Sequence, residues 1–201
     1  LANLSLMDSR RPPGFVGSGG YTHVLGTDPQ GRDLLSAIFY GLRISIQIGL
    51  AAGFVSLTIG TALGIAAAYL GGRVEALIMR LVDLQLSFPA ILLALVIVAL
   101  LGQGKVQLIG ALVAAQYAYF ARTAYGAAKA ERGKDYIEAA LATPLSGRLV
   151  VWRHLLPDCT PPLIVVATVQ IANSISLEAT LSFLGLGLPV TEPSLGMLIS
   201  N

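Results

Sequence analysis

Residues 44–72 read ISIQIGLAAGFVSLTIGTALGIAAAYLGG, with no Asp, Glu, Lys or Arg among them. A helix needs roughly 20 largely apolar residues to cross about 30 Å of hydrocarbon, and this run has residues to spare. Outward from it lie three more charge-free runs, Leu84 to Gly104, Val106 to Ala121 and Cys159 to Leu177. The whole chain agrees: 55% of its 201 residues are of the set AVILMFWYC and only 12% are charged. Its mean hydropathy is +0.74, whereas soluble domains carry about 25% charged residues. A water-facing surface cannot be built from so few charges, so the reading is an all-α integral membrane protein. Four spans are predicted, at about 44–70, 84–101, 106–124 and 163–188, the last interrupted by Glu178.

Several function classes drop out. A net charge of +2, without a basic run interleaved with aromatics, gives no ground for nucleic-acid binding. Cys159 is the single cysteine, which excludes an intrachain disulfide, and with only His23 and His154 beside it a Cys/His zinc site is not supported. The sequence holds no Gly-x-x-x-x-Gly-Lys-Ser/Thr phosphate loop and no His-Glu-x-x-His. Gly185-Leu186-Gly187 is followed by Leu188, not by the Asp that an intramembrane aspartyl protease would use, and no nucleophile and base stand out as a pair. The chain is expected not to be an enzyme, and no cofactor or metal site is expected in it. It starts at Leu1 without the pattern of a signal peptide and reads as part of a longer chain.

Orientation follows from Lys and Arg, which accumulate in cytoplasmic connections. Arg122, Lys129, Arg132, Lys134, Arg148 and Arg153 all fall between the third and fourth spans, so that connection is expected in the cytoplasm. The turn with Arg73 and Arg80 then lies on the same side, and Asp83 with Arg80 marks that end of the second span. The N-terminal segment and the turn around Lys105 lie outside. Residues 1–27, with Pro12, Pro13 and the glycines from Gly14 to Gly20, read as an external loop. Asp28-Pro29 can start a helix, and Leu34, Leu35, Ile38, Phe39 and Leu42 share one face of it. An interfacial helix is therefore expected over 28–43. In the first span Ser56, Gly60, Thr61 and Gly64 form a small-residue face suited to close helix packing.

The long cytoplasmic connection, 127–158, is patterned. One helix is expected up to about Ala142, with Asp135 and Glu138-Ala139-Ala140 in it. Pro144 then pushes Thr143 out of the helical region and breaks the rod. A second helix is expected from about Leu145 to Leu156, with Leu149, Trp152 and Leu156 on one face and Arg148, Arg153 and His154 elsewhere. Pro157 ends it and Pro161-Pro162 start the last span. Such a two-helix elbow is a shape for docking into another protein's groove.

Glu138-Ala139-Ala140, followed by Ser146, Arg153-His154 and Leu155-Leu156-Pro157-Asp158, resembles the EAA loop of the permease subunits of bacterial ABC importers. Further stretches narrow the resemblance: Leu25-Gly26-Thr27-Asp28-Pro29-Gln30-Gly31-Arg32-Asp33, Asp83 with Ser87-Phe88-Pro89, Leu181-Ser182-Phe183-Leu184-Gly185-Leu186-Gly187, and Pro193-Ser194-Leu195-Gly196-Met197-Leu198. In this order, over about Leu25 to Asn201, they are similar to the C-type permease of the dipeptide, oligopeptide and nickel importer family. Two positions depart from it: Pro144 stands where the family usually has Gly, and Leu141 where it usually has a basic residue.

The resemblance implies a helical bundle of the type I ABC importer permease kind, with about four of an expected six spans present and a cytoplasmic two-helix coupling elbow. It implies a membrane-spanning subunit of an ATP-driven importer in the bacterial inner membrane, with peptides or nickel as cargo. Implied partners are a second homologous permease, two ATP-binding cassette ATPase subunits that use the ATP, and a periplasmic or extracellular solute-binding protein. The residues it assigns to ATPase coupling are Asp135, Glu138, Ala139, Ala140, Pro144, Ser146, Arg153, His154 and Pro157. Ala139 and Ala140 would allow close backbone approach, and Glu138 would provide a polar contact or cap. Glu178, Ser182, Gly185 and Gly187 are candidates for pathway or packing roles, and a carboxylate inside an apolar stretch is costly enough to suggest function. The alternative from another class is a small helical channel or membrane scaffold not coupled to ATP.

Overall fold

The run 44–72 forms one helix with the residues before it. In the computed structural model, which describes residues 6–17, 19–134, 151, 155–189 and 192–200, α1 spans Leu34–Leu70. At 1.5 Å per residue it is about 55 Å long. The interfacial helix expected over 28–43 is therefore not a separate element. Its helical part is the start of α1, because nothing between Leu34 and Ile44 interrupts the backbone ladder. α1 ends before Gly71, whose φ is +65°. There Arg132 donates to the carbonyls of Ala68 (2.5 Å) and Tyr69 (2.9 Å), which the helix end leaves open.

α2 (Gly72–Leu86) and α3 (Ala90–Leu101) follow. Their axes differ by 92°. Pro89 brings no N–H and holds Phe88 out of the helical region, so the helix cannot continue. The stretch 84–101, expected as one span, is therefore the end of one helix and the whole of another. α3 alone rises only about 18 Å. α4 (Lys105–Arg132) and α5 (Leu156–Phe183) are the other long helices, and α6 (Leu195–Ser200) is short. α5 starts before Pro161-Pro162 and carries both prolines inside it. By length and apolar content α1 and α5 can each cross a membrane, and the bent α2–α3 pair adds a third crossing if it counts as one. α4 is as long as α5 but carries five charged residues to its two, and it is the central helix, packed against α1, α2, α3 and α5.

Small residues set the packing. α4 runs parallel to α1: a methyl on Gly60 would overlap the Tyr117 carbonyl, and one on Gly64 the Ala121 carbonyl. Without Cβ atoms the two backbones nearly touch, which is how membrane helices gain contact energy. Phe120, Ala121, Ala124 and Ala128 are fully buried along this seam. α5 runs antiparallel to α1, with Ile175 against Gly49 and Ile171 against Gly53. α3 closes one half of the bundle through Ala94 and Val98 on Leu108, Ala111 and Leu112. α2 lies along the other half, held by the Asp83–Arg122 pair and by Glu75, which meets the Tyr125 hydroxyl and the Lys129 ammonium (2.5 Å). Asp83, expected only to mark a span end, thus also ties α2 to α4.

The segment before α1 is not the extended loop that its prolines and glycines suggest. Leu6–Asp8 form a 3₁₀ turn, and β1 (Phe15–Val16) pairs antiparallel with β2 (Thr22–His23), Phe15 opposite His23. Arg11 N donates to Thr27 Oγ1 (2.8 Å), and Arg32 Nε pairs with Asp28 Oδ2 (2.8 Å), both partners buried. Asp28 does not cap the helix as expected. Its Oδ1 accepts from the amides of Gln30 (2.9 Å) and Arg32 (2.8 Å) and closes a turn. The N-cap is Asp33, whose Oδ2 accepts from Ser36 N (2.8 Å) and whose Oδ1 meets His23 Nδ1 (3.1 Å). Burial opposes the charge of Asp33, but the Ser36 hydrogen bonds and His23 outweigh it and hold its carboxyl below the usual range. This cap marks one end of the bundle, the cap end; the end with Arg132 and Leu156 is the base.

Candidate functional site

Between α4 and α5 the apolar interior gives way to uncharged polar side chains. Gln170, Asn173, Leu177 and Thr180 fall on one face of α5, spaced three and four residues apart as a helix requires. With Ala90, Gln116, Tyr119 and Ser176 they line a cavity of about 260 Å³. Gln116, Gln170 and Ser174 are almost wholly buried. With its amide nitrogen turned toward α5, Gln116 donates to Ser174 Oγ (2.7 Å) and to the Gln170 carbonyl (3.3 Å). The Ser174 hydroxyl donates to that same carbonyl (3.0 Å), and Asn173 reaches Gln170 Oε1 (3.4 Å). Buried amides and hydroxyls need such partners. This seam can exchange hydrogen bonds with a polar solute and offers it no net charge. Sequence reasoning keyed on charged residues missed it; the signal was amide and hydroxyl residues at helical spacing within a charge-free run.

Glu178 lies elsewhere. It is fully buried between α5 and α1, off the cavity wall, and accepts from Ser45 Oγ (2.6 Å) and Ser182 Oγ (2.7 Å). Ser182, Gly185 and Gly187 belong to the turn that ends α5. The Leu186 amide donates to the Leu181 carbonyl (2.9 Å) and the Gly185 amide to the Ser182 carbonyl (3.1 Å). Gly185 has φ +75°, and Leu186 packs in the cluster that holds Leu181. This is the Schellman ending of a helix, which calls for a left-handed residue at the position Gly185 occupies. Gly187 serves another purpose: a Cβ there would overlap Ser182 Oγ, so only glycine lets the returning chain lie on the serine.

Of the residues assigned to coupling, Asp135, Glu138, Ala139, Ala140, Pro144, Ser146, Arg153 and His154 lie outside the described residues. Pro157 is in the first turn of α5, where its missing N–H costs nothing. Beside it Leu155 and Cys159 are buried on Ile65, Ala68, Phe120, Ala124 and Ala128. α4 thus ends and α5 begins at the base. Among the described residues no group of three His, Cys, Asp or Glu side chains comes together as a metal site would require.

Long apolar helices packed through glycine and alanine around an uncharged polar seam define a multi-pass integral membrane protein. The chain belongs to the family of binding-protein-dependent transport system inner membrane components, whose model matches residues 60–201. It is 41% identical over 182 residues to a putative peptide transport system permease protein of Brucella suis biovar 1, covering 90% of this chain and 61% of that protein. To the di/tripeptide transport system permease protein DppC of Pseudomonas aeruginosa it is 36% identical over 190 residues, covering 94% and 63%. Its fold is similar to a chain of the MetNI methionine ABC transporter solved in inward-facing conformations, with a TM-score of 0.67 at 16% identity, over 83% of this chain and 88% of that one. The chain spans about three fifths of the length of these curated relatives.

Proposed function

We propose that this chain is the membrane-spanning permease subunit of an ATP-driven importer of the bacterial inner membrane. With a second, related permease it forms the path for peptides delivered by a solute-binding protein on the cap side. Membership of the family carries this reading, together with relatives named as peptide transport permeases. The seam of Gln116, Gln170 and Asn173 supports it, since a peptide backbone presents the amide donors and carbonyl acceptors that these side chains match.

Two ATPase subunits bind below the permease pair, one of them docking at the base on the segment between α4 and α5 of this chain, where Asp135, Glu138, Ala139, Ala140, Pro144, Ser146, Arg153, His154 and Pro157 form the contact. ATP is bound and hydrolysed in those partners; this chain performs no covalent chemistry and holds no cofactor. Closure of the ATPase pair displaces the docked segment, and because α4 and α5 continue directly from it, the seam between them opens to one side or the other. ATP drives this only in so far as it favours one packing over the other. Ala139→Trp tests the docking, because an indole at a close-approach position cannot be absorbed by local relaxation. The expected result is membrane insertion as in the parent, with ATPase copurification and uptake both lost. Normal uptake with Ala139→Trp refutes the docking model, and cargo flux that persists without ATP turnover favours a channel instead.

A further inference from the structure

The contact between α1 and α5 is unequal along its length. At the cap end it is tight: Ile175 fills the space beside Gly49, Ile171 that beside Gly53, and Ser45 donates to Glu178 at 2.6 Å. The short helix α6 seats on the same region, with Gly196 on the Ala179 carbonyl, where an added methyl would overlap, and Gly41 of α1 on the backbone of Ser194 and Leu195, where one would be tight. Gln103, between α3 and α4, donates to the Gly185 carbonyl (2.7 Å) and ties in the neighbouring turn. Toward the base the two helices part. Leu57, Thr61, Ile65 and Tyr69 of α1 face Leu163 and Ala167 of α5 across a cleft of about 730 Å³. One pair of helices therefore has a closed end and an open end.

Glu178 is at the closed end and is 0% exposed. Among the described residues it has no cation partner, and its two oxygens are taken by hydroxyls from two different places, α1 and the last turn of α5. Parting α1 from α5 here would take the Ser45 donor from a buried carboxyl without offering it water, which is costly. Parting them at the base disturbs mostly apolar surface.

Resting on the transport reading above, we infer that Glu178 is a positioning residue. Its hydrogen bond to Ser45 locks the cap ends of α1 and α5 into a pivot, Ser182 one turn on in the same helix holds the carboxyl in place for it, and the base ends move about that pivot when the ATPases act. The role is that of a hydrogen-bonding group, not of a charge. Glutamine can fill it, because the serine hydroxyls rotate to accept from or donate to an amide. Leucine, similar in bulk, cannot. Neither serine is then stranded, since each can turn to a carbonyl one helical turn back, so Glu178→Leu tests the lock more than the fold.

The test uses the complete reconstituted complex with spin labels in two pairs of exposed positions. Leu42 with Leu184 reports on the cap end, and Leu70 with Ile164 on the base. In the parent the base distance shifts between nucleotide-free and ATP-bound states while the cap distance stays within its own distribution. Glu178→Leu broadens the cap distance and cuts uptake per ATP hydrolysed at least tenfold, whereas Glu178→Gln leaves both within about twofold of the parent. A cap distance that moves as far as the base distance overturns the pivot, as does Glu178→Leu with an unchanged cap distance. Glu178→Gln as impaired as Glu178→Leu overturns the hydrogen-bonding role. If the parent shows neither uptake nor any response to nucleotide, the transport reading falls and the pivot falls with it; a broadened cap distance in Glu178→Leu would then support only the hydrogen-bonded lock.

Discussion

Replacing Gly60 with alanine should loosen the α1–α4 contact, and the structure sets the size of the effect. A Cβ on Gly60 would overlap the Tyr117 carbonyl and stand 2.5 Å from Phe120 Cβ and 2.9 Å from Ala121 N. Two of these three obstacles are backbone atoms of α4, which cannot rotate away, so the helices must move apart along their whole seam. Overpacking of this kind costs about 1–3 kcal/mol, and rigid obstacles put it at the upper end. Alanine returns about 1 kcal/mol through its better helix propensity. The net loss is about 2 kcal/mol, roughly thirty-fold in the unfolding equilibrium. Gly110 and Gly126 of the same α4 supply the control, because a Cβ at either meets nothing within 4 Å. There alanine should stabilise by up to about 1 kcal/mol. Gly64→Ala should behave like Gly60→Ala, since Ala124 Cβ and Tyr125 N both lie 2.8 Å from its added methyl. The double variant should cost less than the sum, because one separation of the helices relieves both overlaps. Unfolding in mixed detergent micelles, followed by far-ultraviolet circular dichroism, measures all five variants. If Gly60→Ala is as benign as Gly126→Ala, the α1–α4 distance is not set by these glycines and the packing argument is wrong.

Two more predictions bear on the two ends of the bundle. Cysteines at Lys134 and Arg148, with Cys159 replaced first, should resist an impermeant thiol reagent in intact cells and react after lysis; labelling from outside would reverse the topology. At the cap end, the folded state holds the Asp33 carboxyl below its ordinary value of 3.8, so its stabilising effect is present at pH values above the ordinary value and is lost as pH falls through the lowered one. Asp33→Ala should therefore speed amide exchange at the start of α1 at neutral pH, by about 1 kcal/mol of helix opening, and the difference from the parent should shrink toward zero in acid. A difference that persists unchanged at low pH would show that the cap does not depend on the charge.

Much of this protein could be read from local pattern. Charge-free runs identify membrane helices because hydropathy is a property of each stretch taken alone, and Gly60 and Gly64 one turn apart announce a close-packed face. The motif order from Leu25 to Leu198 was enough to place the chain in its family. The break at Pro89 was also in reach, since the residue is visible and its steric effect is local, yet the apolar count across 84–101 overrode it. What only the tertiary structure decided is which faces meet. By sequence Asp28, with Pro29 after it, is the cap; Asp33 takes that place because the cap fold spends Asp28 on the amides of Gln30 and Arg32. Glu178 could equally have faced a pathway. Its place inside depends on Ser45, 133 residues away, and no periodicity within α5 records which helix lies against it. The seam of Gln116 on α4 with Gln170 and Ser174 on α5 has the same origin: each helix carries half of the hydrogen-bonding set, and only their antiparallel packing brings the halves together.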